Sequence, residues 1–252
     1  FSWQARVAPA FVEVSIGGTA FLLLLLAELV ASGAMADVEK RPRAEEDPHA
    51  AAIAYLRGDP GWFRVDVDAR ARGLWSPAAV MAAGFDVAQG TGNPMEIAAY
   101  NQFYWAIPTK GSPAYSLLGA KYIAVPKDAQ PGGEGIWPVF KDDALIDLHL
   151  NTNSLPRAWL VYRTQRVATI EEAYAVVFAP DFQPALMATV KDGPQLTKSS
   201  AEAEAAEGRI EVLAYAPDRA AFKVHTMEPA LLVLSDLLYP GWRARLDKQR
   251  VP

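Results

Sequence analysis

The sequence predicts a mixed α+β protein in three parts: an N-terminal transmembrane helix, an α+β soluble domain, and an antiparallel β-sandwich-like domain. Three observations predict it. The first is an apolar run, VSIGGTAFLLLLLAELVASGAMA (14–36), with five consecutive leucines and Glu28 as its one charge. The second is the mixture of helix-period and strand-period segments between 49 and 195. The third is a train of short strands at regular spacing beyond 208. The expected boundaries are an anchor at 1–36, a tether at 37–48, the α+β domain at 49–195 and the sandwich-like domain at 205–252.

Crossing a bilayer takes about 20 apolar residues, and 14–36 has that length. A carboxylate at mid-bilayer is costly, so a span ending near Ala27 places Glu28 in the interface. Two rivals stay open. Ala31 to Ala36 (ASGAMA) offers small residues for signal-peptide cleavage, although the preceding flank carries only Arg6 with Glu13. A helix buried in a soluble fold is the other. Ser15, Gly18 and Thr19 form a small-residue face suited to packing on another membrane helix, or are ordinary small residues of a span. The expected partners are therefore the lipid bilayer and other transmembrane helices or subunits. Lys40, Arg41 and Arg43 favour a cytoplasmic body by the positive-inside rule, but five nearby carboxylates, from Asp37 to Asp47, dilute that signal.

After the polar tether DVEKRPRAEEDP (37–48), His49 to Arg57 reads as a short helix stopped by Gly58-Asp59-Pro60. Trp62 to Val67 alternates as a strand. Ser76 and Pro77 suit a helix cap and first turn, with Gly84 as the stop. Asn93-Pro94 opens a further helix that aligns Ile97, Tyr100, Asn101 and Tyr104. Ala114 to Gly119 is a helical turn feeding the strand Tyr122 to Val125. Gly132 to Gly135 marks a loop before strands at 137–140, 146–150 and 158–162. Thr169 and Glu172 fit a capping box. Residues 191–208 are polar and read as a linker or the edge of a second unit. Strands then follow at 210–215, 220–225, 230–235 and 242–246, with turns at Pro217-Asp218, Glu228-Pro229 and Tyr239-Pro240-Gly241. The sandwich is unfinished at Pro252, so further residues are expected.

Composition removes several function classes. Net charge is −5 with no basic stripe, which argues against nucleic acid. Absence of cysteine excludes disulfides, iron–sulfur clusters and thiol nucleophiles, and three scattered histidines offer no zinc spacing. No metal or cofactor is implied. Asp66 with Asp68 reads as the polar side of a half-exposed strand, and Asp142-Asp143 as a turn. Gly90 to Pro94 (GTGNP) is only loosely like a phosphate loop, lacking the Lys-Ser/Thr pair. Ser76, Ser116, Ser154 and Ser235 have no nucleophile-elbow context. Tyr100, Phe103, Tyr104 and Trp105 follow helical spacing and read as core, with sugar stacking as the other use of such a cluster. No catalytic residue is assigned.

Several phrases resemble a family. RIEVLAYAPDRAAFKV (209–224) followed by LLVLSDLLYPGWRARLD (231–247) looks like the C-terminal extracytoplasmic region of YfhO-like bacterial membrane proteins. NPMEIAAYNQFY (93–104), LLGAKYIAV (117–125) and NTNSLPRAWLV (151–161) stand in the matching order. That family is similar to GT-C glycosyltransferases, which are polytopic and use lipid-linked sugars. The resemblance implies a bacterial inner-membrane protein with a periplasmic or extracytoplasmic body. It implies no catalytic residue here, since the chain shows one candidate span and no catalytic loop. The matched residues have structural roles: Asn93 and Pro94 open a helix, and Tyr100 lies on its stripe. Tyr239, Pro240 and Gly241 turn the chain, Trp242 anchors the sandwich, and Asp236 accepts backbone hydrogen bonds at that turn. The expected function is a non-catalytic module, positioning acceptor glycan if the parent is a glycosyltransferase. The alternative is an accessory or scaffold subunit of a larger membrane complex, anchored by one helix.

Overall fold

The computed structural model describes residues 23–28, 47–90, 97–216, 218–238, 240–247 and 249–250. Two units are distinguished, 1–46 and 47–252. In the first, residues 23–28 are helical with Leu23 to Leu26 exposed. No helix among the described residues is long and apolar enough to cross a membrane. The rest of the expected span, with Ser15, Gly18 and Thr19, lies outside the described residues, as do Asn93, Pro94 and Tyr239.

The second unit is built on a five-stranded sheet of order β2-β1-β3-β5-β4, with β1 at Arg64–Val67, β2 at Asp86–Val87, β3 at Ala120–Pro126, β4 at Ile136–Phe140 and β5 at Ile146–Asn151. β1 pairs in parallel with both β2 and β3, and β5 runs antiparallel to β3 and β4. Side chains on a strand alternate between faces, and both faces are covered. Val65, Val67, Tyr122, Ala124 and Leu148 pack under helices α1 (Ala50–Arg57) and α2 (Pro77–Ala82). Ile123 and Val125 point the other way, to helices α3 (Ala98–Ala106) and α4 (Pro113–Ser116), which contribute Tyr100, Phe103, Tyr104 and Tyr115. A sheet covered twice leaves no half-exposed strand face at its centre.

Local chemistry sets the element ends. The Ser76 hydroxyl accepts from the Ala79 N–H with Pro77 in the first turn, and Ser112 does the same for Tyr115 before Pro113. Thr169 accepts from the Glu172 N–H at the start of α5 (Ile170–Val177). Gly119 turns the chain into β3 at φ +63°, and a Cβ there would lie 3.0 Å from Cδ of Arg157. Glycine is required on both counts.

Residues 191–208, expected as a linker or the edge of a second unit, carry structure. Ser199 caps helix α6 (Ser200–Ala205) with a complete capping box to Glu202, and Thr197 bridges to Arg163. A parallel pair, β7 (Arg163–Arg166) with β8 (Met187–Val190), was absent from the sequence expectation. Beyond 208, β9 (Gly208–Ala216) and β10 (Arg219–Thr226) form an antiparallel hairpin. Strand β11 (Leu231–Leu234) instead pairs with β6 (Ala158–Val161). The expected strand at 242–246 is reduced to β12 (Arg245–Leu246), paired with β13 (Gln249–Arg250).

Candidate functional site

The order β2-β1-β3 means that the chain leaves β1 toward one side and returns on the other. Ligands of such sheets bind outside the carboxyl ends of the strands, where the order reverses. Here that place lies past Asp66 and Val67, between β1 and β3, and it holds a crevice of about 290 Å3 lined by Asp68, Arg72, Tyr104, Trp105, Lys110 and Tyr115, among others.

Asp66 is the anchor beneath it. Its side chain is fully buried and accepts from the Tyr104 hydroxyl at 2.8 Å, the Tyr115 hydroxyl at 2.7 Å and the Lys110 ammonium at 2.5 Å. The expectation of a half-exposed Asp66 is overturned. Because α3 and α4 cover that face, a carboxylate on it survives only with a full set of donors. Burial pushes the Tyr104 and Tyr115 phenols up from their usual range, and the Asp66 charge adds to this. Both stay protonated and keep donating.

Asp68 lies just beyond β1 and caps a 3-10 turn, Ala69–Ala71, by accepting from the Arg70 N–H. The Arg70 guanidinium binds it at 2.8 and 3.3 Å. Burial would raise the Asp68 pKa, but the bonds from Arg70 and the nearby Lys110 charge bring it below the ordinary carboxylate value. Lys110 is held from behind. A Cβ on Gly111 would sit 2.5 Å from the Glu134 backbone nitrogen, so these two loops touch through bare backbone.

Trp105 differs from its neighbours. Tyr100, Phe103 and Tyr104 pack against the core, as their spacing predicts. Trp105 follows Tyr104 on the helix, remains 60% exposed, and meets the Tyr104 ring edge-on at 5.3 Å. The Arg72 guanidinium stands over the indole at 5.5 Å. The crevice therefore has a protonated phenol layer at its base, an accessible indole, and a guanidinium on that indole. Asp66 and Asp68 have their donors already, and neither is placed as a free base.

A second set of charged side chains gathers around Asp236. Asp236 follows β11 and accepts from Arg64 at 2.6 Å, Arg157 at 2.8 Å and the Tyr215 hydroxyl at 2.9 Å. Beside the expected role of accepting backbone bonds at the turn, whose Tyr239 lies outside the described residues, Asp236 is the centre of a charge network with two arginines. Arg157 is 1% exposed, binds Asp86 at 2.6 Å, and stacks on Trp62 at 4.7 Å. Arg64 also donates to the Leu118 carbonyl and to Ser235. Burial and the neighbouring Arg157 charge push the Arg64 pKa down, opposed by Asp236. This network joins β1, β2, β9 and the segments flanking β6 and β11. Apart from Arg157 Nε, which is buried without a partner among the described residues, its donors and acceptors bind each other, which is the arrangement of a clamp.

No protein-family model, curated protein or solved structure matches this chain.

The remaining sequence-predicted residues are separated from the crevice. Tyr100 donates from its hydroxyl to the Ala88 carbonyl, inside the second core cluster. Pro240 and Gly241 form an exposed turn, Gly241 at φ +103°. Trp242, expected as a buried anchor, is only half-buried and lines an open surface depression with Arg219, Arg243 and Arg245. The short β12–β13 pair leaves nothing further among the described residues to close over it. Asp143 makes the expected turn, accepting from the Leu145 and Ile146 N–H groups and from His49. Sequence reasoning missed Lys110 and Arg72. Arg72 had no local signal, whereas Lys110 could have been found as the cation of a polar loop, Pro108 to Ser112, between two helical segments.

Proposed function

We propose that residues 47–252 are a non-catalytic extracytoplasmic module of a YfhO-like membrane protein, tethered by one span within 14–36, that positions a glycan. The single observation carrying this reading is the crevice at the carboxyl end of β1. An exposed indole beside fixed hydrogen-bonding groups is the surface on which a sugar ring stacks through its apolar face while its hydroxyls find donors. Its volume, at the lower end of the usual ligand range of about 300–1,000 Å3, suits a single ring. Both carboxylates are saturated by neighbouring donors, which supports binding over catalysis. Within the module, the β9–β10 hairpin and the β11–β6 pair are the elements on which the sandwich-like reading of 205–252 rests.

The test is titration of the full-length protein in detergent micelles with cellobiose and N,N′-diacetylchitobiose, followed by tryptophan fluorescence and saturation-transfer NMR. Binding that is lost in Trp105→Ala, with the urea midpoint unchanged, supports the reading. Failure of every sugar tested, neutral or acidic, to bind, or binding indifferent to Trp105→Ala, sinks it.

A second reading, an accessory subunit that scaffolds a membrane complex, draws on the exposed apolar side chains of the hairpin, Val212, Leu213 and Val224. Stoichiometric co-purification with unrelated chains, lost on replacing Leu213 by Lys, would favour it.

A further inference from the structure

We infer that the sugar held in the crevice carries an anionic group, a carboxylate or a phosphate, and that Arg72 is the residue that binds it. The inference rests on the glycan reading above and adds the class of glycan. Three cations and two carboxylates meet at the site. Lys110 is taken up by Asp66, with Asp68 a further 3.8 Å contact, and Arg70 is taken up by Asp68. Arg72 remains. Its Nε makes one long bond of 3.5 Å to the Val67 carbonyl, and its Nη2 is buried with no hydrogen-bond partner among the described residues. Among the described residues no carboxylate forms an ion pair with it.

That is an unusual state for a guanidinium in a protein of net charge −5. Buried polar groups nearly always have partners, and an orphan calls for an explanation, of which binding of an anion or water is one; Arg72 is the orphaned cation that lines the crevice. Stacking on Trp105 compensates part of the charge but satisfies no N–H. A planar fork of donors matches a carboxylate or phosphate face to face. The same indole that offers its surface to a sugar ring holds this fork at 5.5 Å, so one ring bearing an acidic substituent reaches both. Saturation of Asp66 and Asp68 by their own donors argues against a cationic or amino sugar.

The experiment compares glucose, glucuronate and glucose 6-phosphate on the full-length protein by saturation-transfer NMR and calorimetry. The expected result is that one or both acids bind at least about tenfold more tightly than glucose, the worth of a charge-assisted pair. That preference should shrink as salt is raised from 50 to 500 mM, probe conditions chosen to screen an exposed charge. Arg72→Gln should bring the acid-to-neutral ratio to near one, and Arg72→Lys should leave it in between. Far-UV circular dichroism and the urea midpoint check each variant, and the salt dependence of the wild-type protein stands without any variant. Equal binding of all three sugars, or a preference that survives Arg72→Gln, overturns the inference and leaves the glycan reading in place. Failure of all three, together with both disaccharides, removes both.

Discussion

Replacing Asp236 with Ala decides whether the buried charge network holds the C-terminal strands to the sheet. One carboxylate oxygen serves Arg64 at 2.6 Å and Arg157 at 2.8 Å, and the other accepts from Tyr215. Without it Arg157 keeps Asp86, whose side chain is 45% exposed, and Arg64 keeps only neutral acceptors, Leu118 O and Ser235. Two nearby guanidinium charges then share one outlying counter-charge. Breaking a buried pair by removing one partner costs about 3–5 kcal/mol. Asp236 is itself 19% accessible, so the lower half of that range applies, about 3–4 kcal/mol. With a urea m-value of about 2–3 kcal/mol/M, the midpoint should fall by about 1–2 M. The assay is urea unfolding of the full-length protein followed by tryptophan fluorescence, where Trp62, stacked on Arg157, reports locally. A side chain that merely capped a turn would cost about 0.5–1.5 kcal/mol. A midpoint shift below about 0.5 M at unchanged m would refute the network reasoning. Pairing Asp236→Leu with Arg157→Met should cost less than the sum of the single changes by about 0.5–3 kcal/mol.

Other outcomes follow from the same geometry. Trp242→Ala should change stability by no more than about 1 kcal/mol, against about 3–5 for a tryptophan in a closed core; chemical unfolding distinguishes the two. Gly111→Ala puts a Cβ against the Glu134 backbone and should cost about 1–3 kcal/mol while weakening any crevice ligand, because Lys110 moves with the loop. His149 is fully buried, with neither ring nitrogen bonded among the described residues. Burial lowers its pKa from the ordinary 6.5, opposed by Asp147 and reinforced by Lys141. The unfolded chain therefore binds the extra proton first, so stability is full above pH 6.5 and declines as pH falls from there toward the lower native value. Urea midpoints measured between pH 7 and pH 5, probe conditions bracketing that window, should fall more steeply for the wild type than for His149→Leu. Parallel slopes would contradict the assignment.

What could be read from the sequence was whatever local chemistry dictates. Ser76-Pro77, Thr169 with Glu172, the alternation in 62–67 and the apolar run 122–125 each encode an element within a few residues, and each element is present. The Ser199-x-x-Glu202 signature encoded α6 just as plainly but sat in a stretch whose polarity suggested a linker. Asp66 misled because alternation reports which residues share a face, not whether that face is covered. Its three donors come from α3, α4 and the loop between them, 38 to 49 residues away. Trp105 looked like core because Tyr100, Phe103 and Tyr104 around it are core; its exposure depends on where the helix lies against the sheet. Asp236 stands 172 residues from Arg64 and 79 from Arg157. No periodicity carries a contact of that range.

Those separations also order events during biosynthesis. Translation proceeds at about 5–20 residues per second, so the 172 residues between Arg64 and Asp236 take about 9–34 s to make. For the last 79 of those residues, once Arg157 has been made, the nascent sheet presents two arginines lacking their principal counter-ion, beside a β6 edge still awaiting β11. A polypeptide released before Leu231 would hold all five strands of the sheet yet lack its fastening, and quality control would meet it as an open β6 edge with exposed positive charge.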